Sequence, residues 1–414
     1  MTLALWTRRR ARRVMTLLVI VTSALGMLGV TALRSAGASG SQPASSQLTQ
    51  QSRYNLVRSH FGLAPGSGFY LNQQHLRQGL DTMETLGVHW IRSTIPWFNI
   101  QPTASGPYNW KGVDQLVRTL RMAKYRGRFS LIVTFEAPPA WAEVRSRIKH
   151  IDCSSQAPFD LGDYSRALAA LAARLKSTAH VFEIQNSPNI ARRGPRHDDP
   201  YTVWSTPNPC GYAKLVTMAT AAVHRAQPGS TVLVGGLGGT HDIAGERMAA
   251  DEFLFGLYLY HAKFDGVSFH PYSTPHLPCA PSKPVCTFDP NPKLKDPYGL
   301  HNGWDRMLNA RRVMVAFGDA NKKMWITEFG GPTMGSGGGT RALSDSQQAN
   351  LLTAGFQRAS QYSWVAEMCW FTYQDDGSNP SGDPGGDWMG LVRKNGTHKP
   401  AFATYQRLAH SARS

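Results

Sequence analysis

Acidic residues are scarce in this chain. Of 414 residues, 27 are Asp or Glu against 44 Lys or Arg, for a formal net charge of +17. No acid occurs among the first 40, where six arginines (8, 9, 10, 12, 13 and 34) supply +6 and leave +11 for the remainder. An excess of this kind attracts anionic polymers, although it also suits an ordinary solvated surface. No nucleic-acid-binding motif accompanies it, so nucleic acid is not an expected partner. Cysteine is sparse too. The five (Cys153, Cys210, Cys279, Cys286, Cys369) include no metal-type pair, and neither a metal nor a cofactor is expected.

The first 40 residues are an export signal: an Arg cluster, an apolar stretch from Val14 to about Leu33, and the small residues Ala36-Gly37-Ala38. The apolar stretch approaches the roughly 20 residues that span a bilayer, so residues 1–38 read either as a cleaved signal peptide or as a retained N-terminal membrane anchor. The adjacent arginines permit a twin-arginine reading that the tract does not spell well. Residues 39–53, rich in Ser, Gln and Ala, suit a flexible linker. The chain is therefore expected to be secreted or anchored on the outer face of the cytoplasmic membrane. In that oxidising compartment Cys153–Cys210 and Cys279–Cys286 are the expected disulfides, with Cys369 a buried thiol in an apolar run.

From residue 54 no second break in composition occurs, so 54–414 read as one domain. Short β-type runs at 56–62, 88–94, 128–135, 180–186, 231–235, 264–270, 323–329 and 365–373 alternate with helical patterns at 73–86, 113–125, 164–175, 212–226, 248–260, 304–317, 344–360 and 401–409. Eight βα units predict a closed (β/α)8 barrel, a TIM barrel, rather than an open sheet, and the length suits a monomer of that type. The longer Gly/Pro-rich connections follow strands rather than helices. In such a barrel that is the face where chemistry sits.

Polar and aromatic residues recur at the ends of the predicted strands: Arg92 on the second, Glu136 on the third, Asn186 with Ser187 on the fourth, His270 with Tyr272 on the sixth, Glu328 on the seventh and Trp370 on the eighth. A lone Glu at one strand end could serve only in a structural ion pair. A ring of such groups around one mouth points to a site. The eleven Trp, fourteen Tyr and seventeen Phe include rings of the kind on which sugars stack, though most are expected in the core.

These residues resemble glycoside hydrolase clan A, the retaining (β/α)8 glycosidases that include cellulase-like, β-xylosidase-like and exopolysaccharide-hydrolase-like families. The resemblance extends over nearly the whole exported domain. It rests on Trp325-Ile-Thr-Glu328 closing strand seven, Arg92, the Pro139-Ala-Trp141-Ala142 turn, His270-x-Tyr272 and Trp370. It implies Glu328 as nucleophile, Arg92 as its support, and Trp141, Asn186, His270, Tyr272 and Trp370 as sugar-binding groups. The departure falls at strand four. Where clan members read Asn-Glu-Pro, this chain reads Asn186-Ser187-Pro188, so Ser187 stands at the place of the general acid/base.

Retaining hydrolysis uses two carboxyl groups roughly 5 to 5.5 Å apart, one attacking and one protonating the leaving oxygen. Glu183 shares the strand face of Ser187 but sits about 13 Å deeper along it, too far to substitute. Glu136 is the better stand-in, with Asp375 and Asp376 as looser candidates. Three functions follow: an extracytoplasmic glycosidase acting on O-glycosidic bonds through Glu328, a transglycosylase or a hydrolase with narrow leaving-group demand, and a catalytically impaired barrel that binds envelope glycan. In each the partner is a carbohydrate, with the basic balance favouring an anionic polysaccharide.

Overall fold

Strand and helix alternate through the chain as the pattern requires. The computed structural model describes residues 56–66, 68–143, 158–191, 204, 206–274, 303–333, 342–377 and 388–412, all within one compact unit, Ser52–Ser414. The expected export segment (1–38) and linker (39–53) lie outside the described residues. No helix among the described residues is long and apolar enough to cross a membrane. Of the cysteines, Cys210 is disulfide-bonded and Cys369 is a free buried thiol. Cys153, Cys279 and Cys286 lie outside the described residues, so both expected pairings do in part or whole.

Eight strands close a parallel barrel in chain order: β1 (Phe61–Ala64), β2 (Trp90–Pro96), β3 (Ser130–Glu136), β4 (Ala179–Asn186), β5 (Thr231–Gly238), β6 (Gly266–His270), β7 (Met324–Phe329) and β8 (Val365–Phe371). β8 pairs back onto β1, so the barrel has no free edge. A helix follows each strand: α1 (Gln73–Leu86), α2 (Lys111–Leu120), α3 (Leu161–Leu175), α4 (Pro209–Ala226), α5 (Ala250–Leu259), α6 (Gly303–Ala316), α7 (Asp345–Ala359) and α8 (Pro400–Ser411).

Local chemistry sets many of these bounds. The Asn72 side chain accepts from the backbone of Gln74 and His75 to start α1, and Gly87, at φ 80°, ends it in the left-handed conformation that suits glycine. Ser344 and Gln347 form a reciprocal capping box at α7. Two of the expected bounds moved furthest. β1 begins at Phe61 rather than at 56, because Arg58–His60 form a 3-10 turn closed by the His60 N–H on the Val57 carbonyl. The expected helix 113–125 stops at Leu120, where successive turns carry the chain to Gly127 at φ 71°.

Alternation along each strand divides the molecule into two cores. Outward residues such as Phe61, Leu63, Ile91, Val133, Phe135, Phe182, Ile184, Val234 and Phe269 pack under the helices in one continuous cluster. Inward residues Ala64, Ile132, Val181, Leu233, Trp325 and Cys369 form a smaller cluster within the barrel. The same inward rows carry Arg92, Glu183, Ser268, Thr327 and Glu367, all buried. A barrel lumen with this much charge demands internal pairing.

Candidate active site

Arg92 organises the upper lumen. Its guanidinium holds Glu183 through two bonds, Nη2 to Oε1 at 2.6 Å and Nε to Oε2 at 3.1 Å, and reaches Glu328 Oε1 through Nη1 at 2.7 Å. Nη2 also donates to Asn186 Oδ1 at 2.9 Å. Burial alone would lower the Arg92 pKa, but the charges of Glu183 and Glu328 outweigh it and raise it, so the cation is permanent. β2, β4 and β7 thereby present one planar cation to two carboxylates, the geometry in which Arg exceeds Lys.

Glu328, at the C-terminal end of β7, receives two further groups. Tyr272 donates its hydroxyl to Oε2 at 2.9 Å, and His270 Nδ1 lies 3.4 Å from the same oxygen. Burial, reinforced by the Arg92 charge, pushes the His270 pKa down to about 3, so the ring is neutral and the contact is no salt bridge. His270 Nε2 lies 3.0 Å from Thr327 Oγ1, Thr327 meets Ser268, and Ser268 donates to Glu183 Oε2 at 3.1 Å. Glu183 and Glu328 are thus joined twice, through Arg92 and through a chain of hydroxyls and one ring.

Glycine makes room for this ring. A Cβ at Gly236 on β5 would fall 2.0 Å from His270 Nε2. Gly303, opening α6, packs so closely that a Cβ would lie 2.2 Å from the Tyr272 carbonyl oxygen. Thr274 Oγ1 donates to the Gly330 carbonyl at 3.0 Å, tying the exit of β6 to that of β7.

At the end of β4, Ser187 is half-buried with φ 46°. Its N–H donates to the Gly236 carbonyl at 3.0 Å and its own carbonyl accepts from Ile190 N–H at 2.9 Å. Its hydroxyl has no hydrogen bond among the described residues. The turn is held instead by Asn189, fully buried, whose Nδ2 donates to the Gly238 and Met248 carbonyls and whose Oδ1 accepts from Gly238 N–H, each at 2.9 Å.

The remaining expectations divide. Glu136 is buried at the end of β3, where its charge acts on Arg92, so it belongs to the same electrostatic unit. Trp141 is half-buried, with its indole N–H on the Gln101 carbonyl at 3.0 Å and its edge against Trp97. Trp370 is a correction. It is wholly buried on the outer side of β8, against Phe329, with its N–H on the Met389 carbonyl at 3.0 Å, and has no face for a sugar. The inward row of β8 is Glu367, Cys369 and Phe371, and half-buried Phe371 packs on the inner cluster. The reading was one residue out of register, which on a strand reverses the face.

Asp375 is likewise no free acid. Buried, it pairs with Lys399 at 2.8 Å and accepts from Gly390 N–H at 2.8 Å, anchoring the segment after β8. Asp376 is exposed. Sequence reasoning missed the roles of Ser268 and Thr327. Their signal was their parity, two residues from His270 and two from Trp325, on the inward rows.

Comparison with known proteins agrees with this architecture. Residues 305–405 match the family described as the glycosyl hydrolase catalytic core. No curated protein matches the sequence. A family 39 glycoside hydrolase from the gut symbiont Bacteroides cellulosilyticus WH2 is similar in structure, with a TM-score of 0.57 and 17% identity over 86% of this chain and 64% of that one, just under two thirds of its length. A monomeric beta-xylosidase from Caulobacter crescentus CB15 gives 0.58 and 17%, covering 87% and 70%. A GH5_18 protein from Streptomyces cattleya, in complex with GlcNAc, gives 0.58 and 17%, covering 86% and 83%. The (β/α)8 barrel of this chain is the fold of those glycosidases.

Proposed function

We propose that this chain acts on O-glycosidic bonds of an oligosaccharide or polysaccharide at the C-terminal mouth of its barrel, with Glu328 as the nucleophile of a retaining mechanism. One observation carries the reading: the Glu328 carboxylate is fixed by Arg92 at 2.7 Å and Tyr272 at 2.9 Å, with His270 at 3.4 Å. A carboxylate so oriented is prepared to attack an anomeric carbon and form a glycosyl-enzyme, and the bonds cost no reorganisation at the moment of reaction. Asn186, whose Oδ1 accepts from Arg92 Nη2, keeps its Nδ2 for a sugar hydroxyl. The match of residues 305–405 to a glycosyl hydrolase core supports the class.

Ser187 occupies the acid/base place in this reading. A serine hydroxyl gives up no proton near neutral pH, and loss of a general acid removes about 10² to 10⁴ in rate. The enzyme then requires a leaving group that departs without protonation, or a proton from Glu136, the buried carboxyl that shares the field of Arg92. The Ser187 side chain also favours a second reading, a catalytically impaired barrel that binds envelope glycan. In both, the chain works outside the cytoplasmic membrane, exported or anchored by residues 1–38, and the +11 charge of the remainder draws it to anionic polysaccharide.

Aryl glycosides with good leaving groups separate the two readings. The glycosidase turns them over or is trapped as a covalent adduct at Glu328, Glu328→Gln abolishes trapping, and Ser187→Glu raises the rate on poor leaving groups by about 10² or more. A protein that binds glycan, never labels Glu328 and gains nothing from Ser187→Glu is the binding barrel.

A further inference from the structure

The opposite end of the barrel carries a cavity that the chemistry at Glu328 does not use. Of about 260 Å³, it is lined by Arg58, Glu84, Val88, His89, Gly127, Arg128 and Phe129. These come from the 3-10 turn before β1, the end of α1, the entry to β2 and the turn before β3, so the cavity opens on the N-terminal face of the strands. In a (β/α)8 barrel that face ordinarily serves stability rather than chemistry.

Its lining has two characters. Val88 and Phe129 supply apolar surface, and Gly127 leaves open space where a side chain would project. Against them stand two guanidiniums. Arg128 is engaged, with Nε 3.0 Å from Glu84 Oε1, and Glu84 is the one acid in the lining. Arg58 is exposed and makes no hydrogen bond or ion pair among the described residues. Half-buried His89, 3.5 Å from Ser130 Oγ, is kept neutral by burial and by the Arg58 charge, and His60 by burial and by Lys323. The cavity therefore combines an unneutralised cation, a neutral imidazole able to donate or accept, and an aromatic wall.

We infer that this cavity is a second binding site, for a sugar unit bearing an anionic oxyacid group, carboxylate or phosphate. Arg58 takes the anion in a bidentate grip, His89 takes a ring hydroxyl, and Phe129 with Val88 covers the apolar side of the ring. A cavity of this volume is the size of one monosaccharide rather than of a flat lipid surface. The site is independent of Glu328, so it holds whether the mouth cleaves glycan or only binds it.

Titration of the purified full chain with glucuronate, glucose 6-phosphate, glucose and inorganic phosphate tests the inference. One or both acidic sugars should bind at least about tenfold more tightly than glucose and than inorganic phosphate, the worth of one charge-assisted pair. Arg58→Ala and Arg58→Gln should each remove that preference while Arg58→Lys keeps part of it, with thermal unfolding unchanged because Arg58 is exposed. Glu328→Gln should leave binding here intact, and labelling of Glu328 should survive Arg58→Ala. Phosphate binding as well as the sugars, glucose binding equally, an Arg58→Ala variant that retains the preference, or binding only to vesicles containing phosphatidylglycerol would overturn it.

Discussion

Two carboxylates buried in the same lumen meet opposite fates. Glu183 faces Arg92, the Ser268 hydroxyl and the Gly236 N–H at 3.3 Å, and every donor in reach is directed at it. Among the described residues Glu367, wholly buried on β8, has only the Cys369 thiol, which donates to Oε2 at 3.1 Å, while Oε1 has no partner. Burial pushes the Glu367 pKa well above the carboxylate range against a small opposing effect of the thiol, and the Glu183 charge pushes it further. Burial raises the Cys369 thiol as well, and Glu367 adds to it. Depth is equal and the donors around the two are not. What decides whether a buried acid is an anion is the number of donors built around it, not its distance from water.

The largest test of this contrast removes the shared cation. Arg92→Met leaves Glu183 and Glu328 buried without their shared cation, and chemical denaturation should show a loss of about 3 to 5 kcal/mol, with no covalent labelling of Glu328. A loss under about 1 kcal/mol would mean that the carboxylates find other partners. Glu367→Gln should act in the opposite sense. Below about pH 4.3 both the folded and unfolded chains carry the Glu367 proton and nothing is lost; above it the unfolded chain ionises while the folded one stays protonated, so the wild-type residue costs stability that grows as pH rises. The variant should match wild type near pH 4 and exceed it by at least about 1 kcal/mol at pH 7. Equal stability at both pH values would show that Glu367 is solvated or paired.

At pH 7 His270 gives the smallest effect, and its pH slope is the reverse of that of Glu367. With its folded pKa near 3, the ring stays neutral in the native state while the unfolded chain takes up a proton below about pH 6.5, so wild-type stability falls as pH drops from there toward 3. His270→Gln should be somewhat less stable at pH 7, through its lost contacts, and should lose less between pH 6.5 and 4. Parallel curves for variant and wild type would place the pH dependence elsewhere.

Much of the barrel was legible because its signals are local. The bounds of α1 follow from Asn72 and Gly87, and Glu328 stood out because Trp325-Ile-Thr-Glu328 ends an apolar run. The partnership of Arg92 with Glu328 was expected from the resemblance and is seen as a 2.7 Å bond. The dual role of Arg92 was not legible: Glu183 is 91 residues away in sequence, and nothing local announces a bidentate pair. Trp370 was misread because a hydrophobic run such as Val365–Phe371 does not state its own parity, which only the position of Glu367 and Cys369 in the lumen resolves. The pairing of Asp375 was not legible for the same reason as that of Glu183, since its partner Lys399 arrives from beyond the next connection.

The clamp made by Asn189 has a consequence for how this barrel can change. The turn after β4 is stitched to β5 by that amide and by the Ser187 N–H on the Gly236 carbonyl, while the Ser187 hydroxyl contributes no hydrogen bond among the described residues. Position 187 is therefore a socket whose backbone shape is guaranteed by its neighbours. Side chains can be exchanged there without renegotiating the fold, so one substitution is enough to install a carboxyl at the end of β4 on an unaltered scaffold.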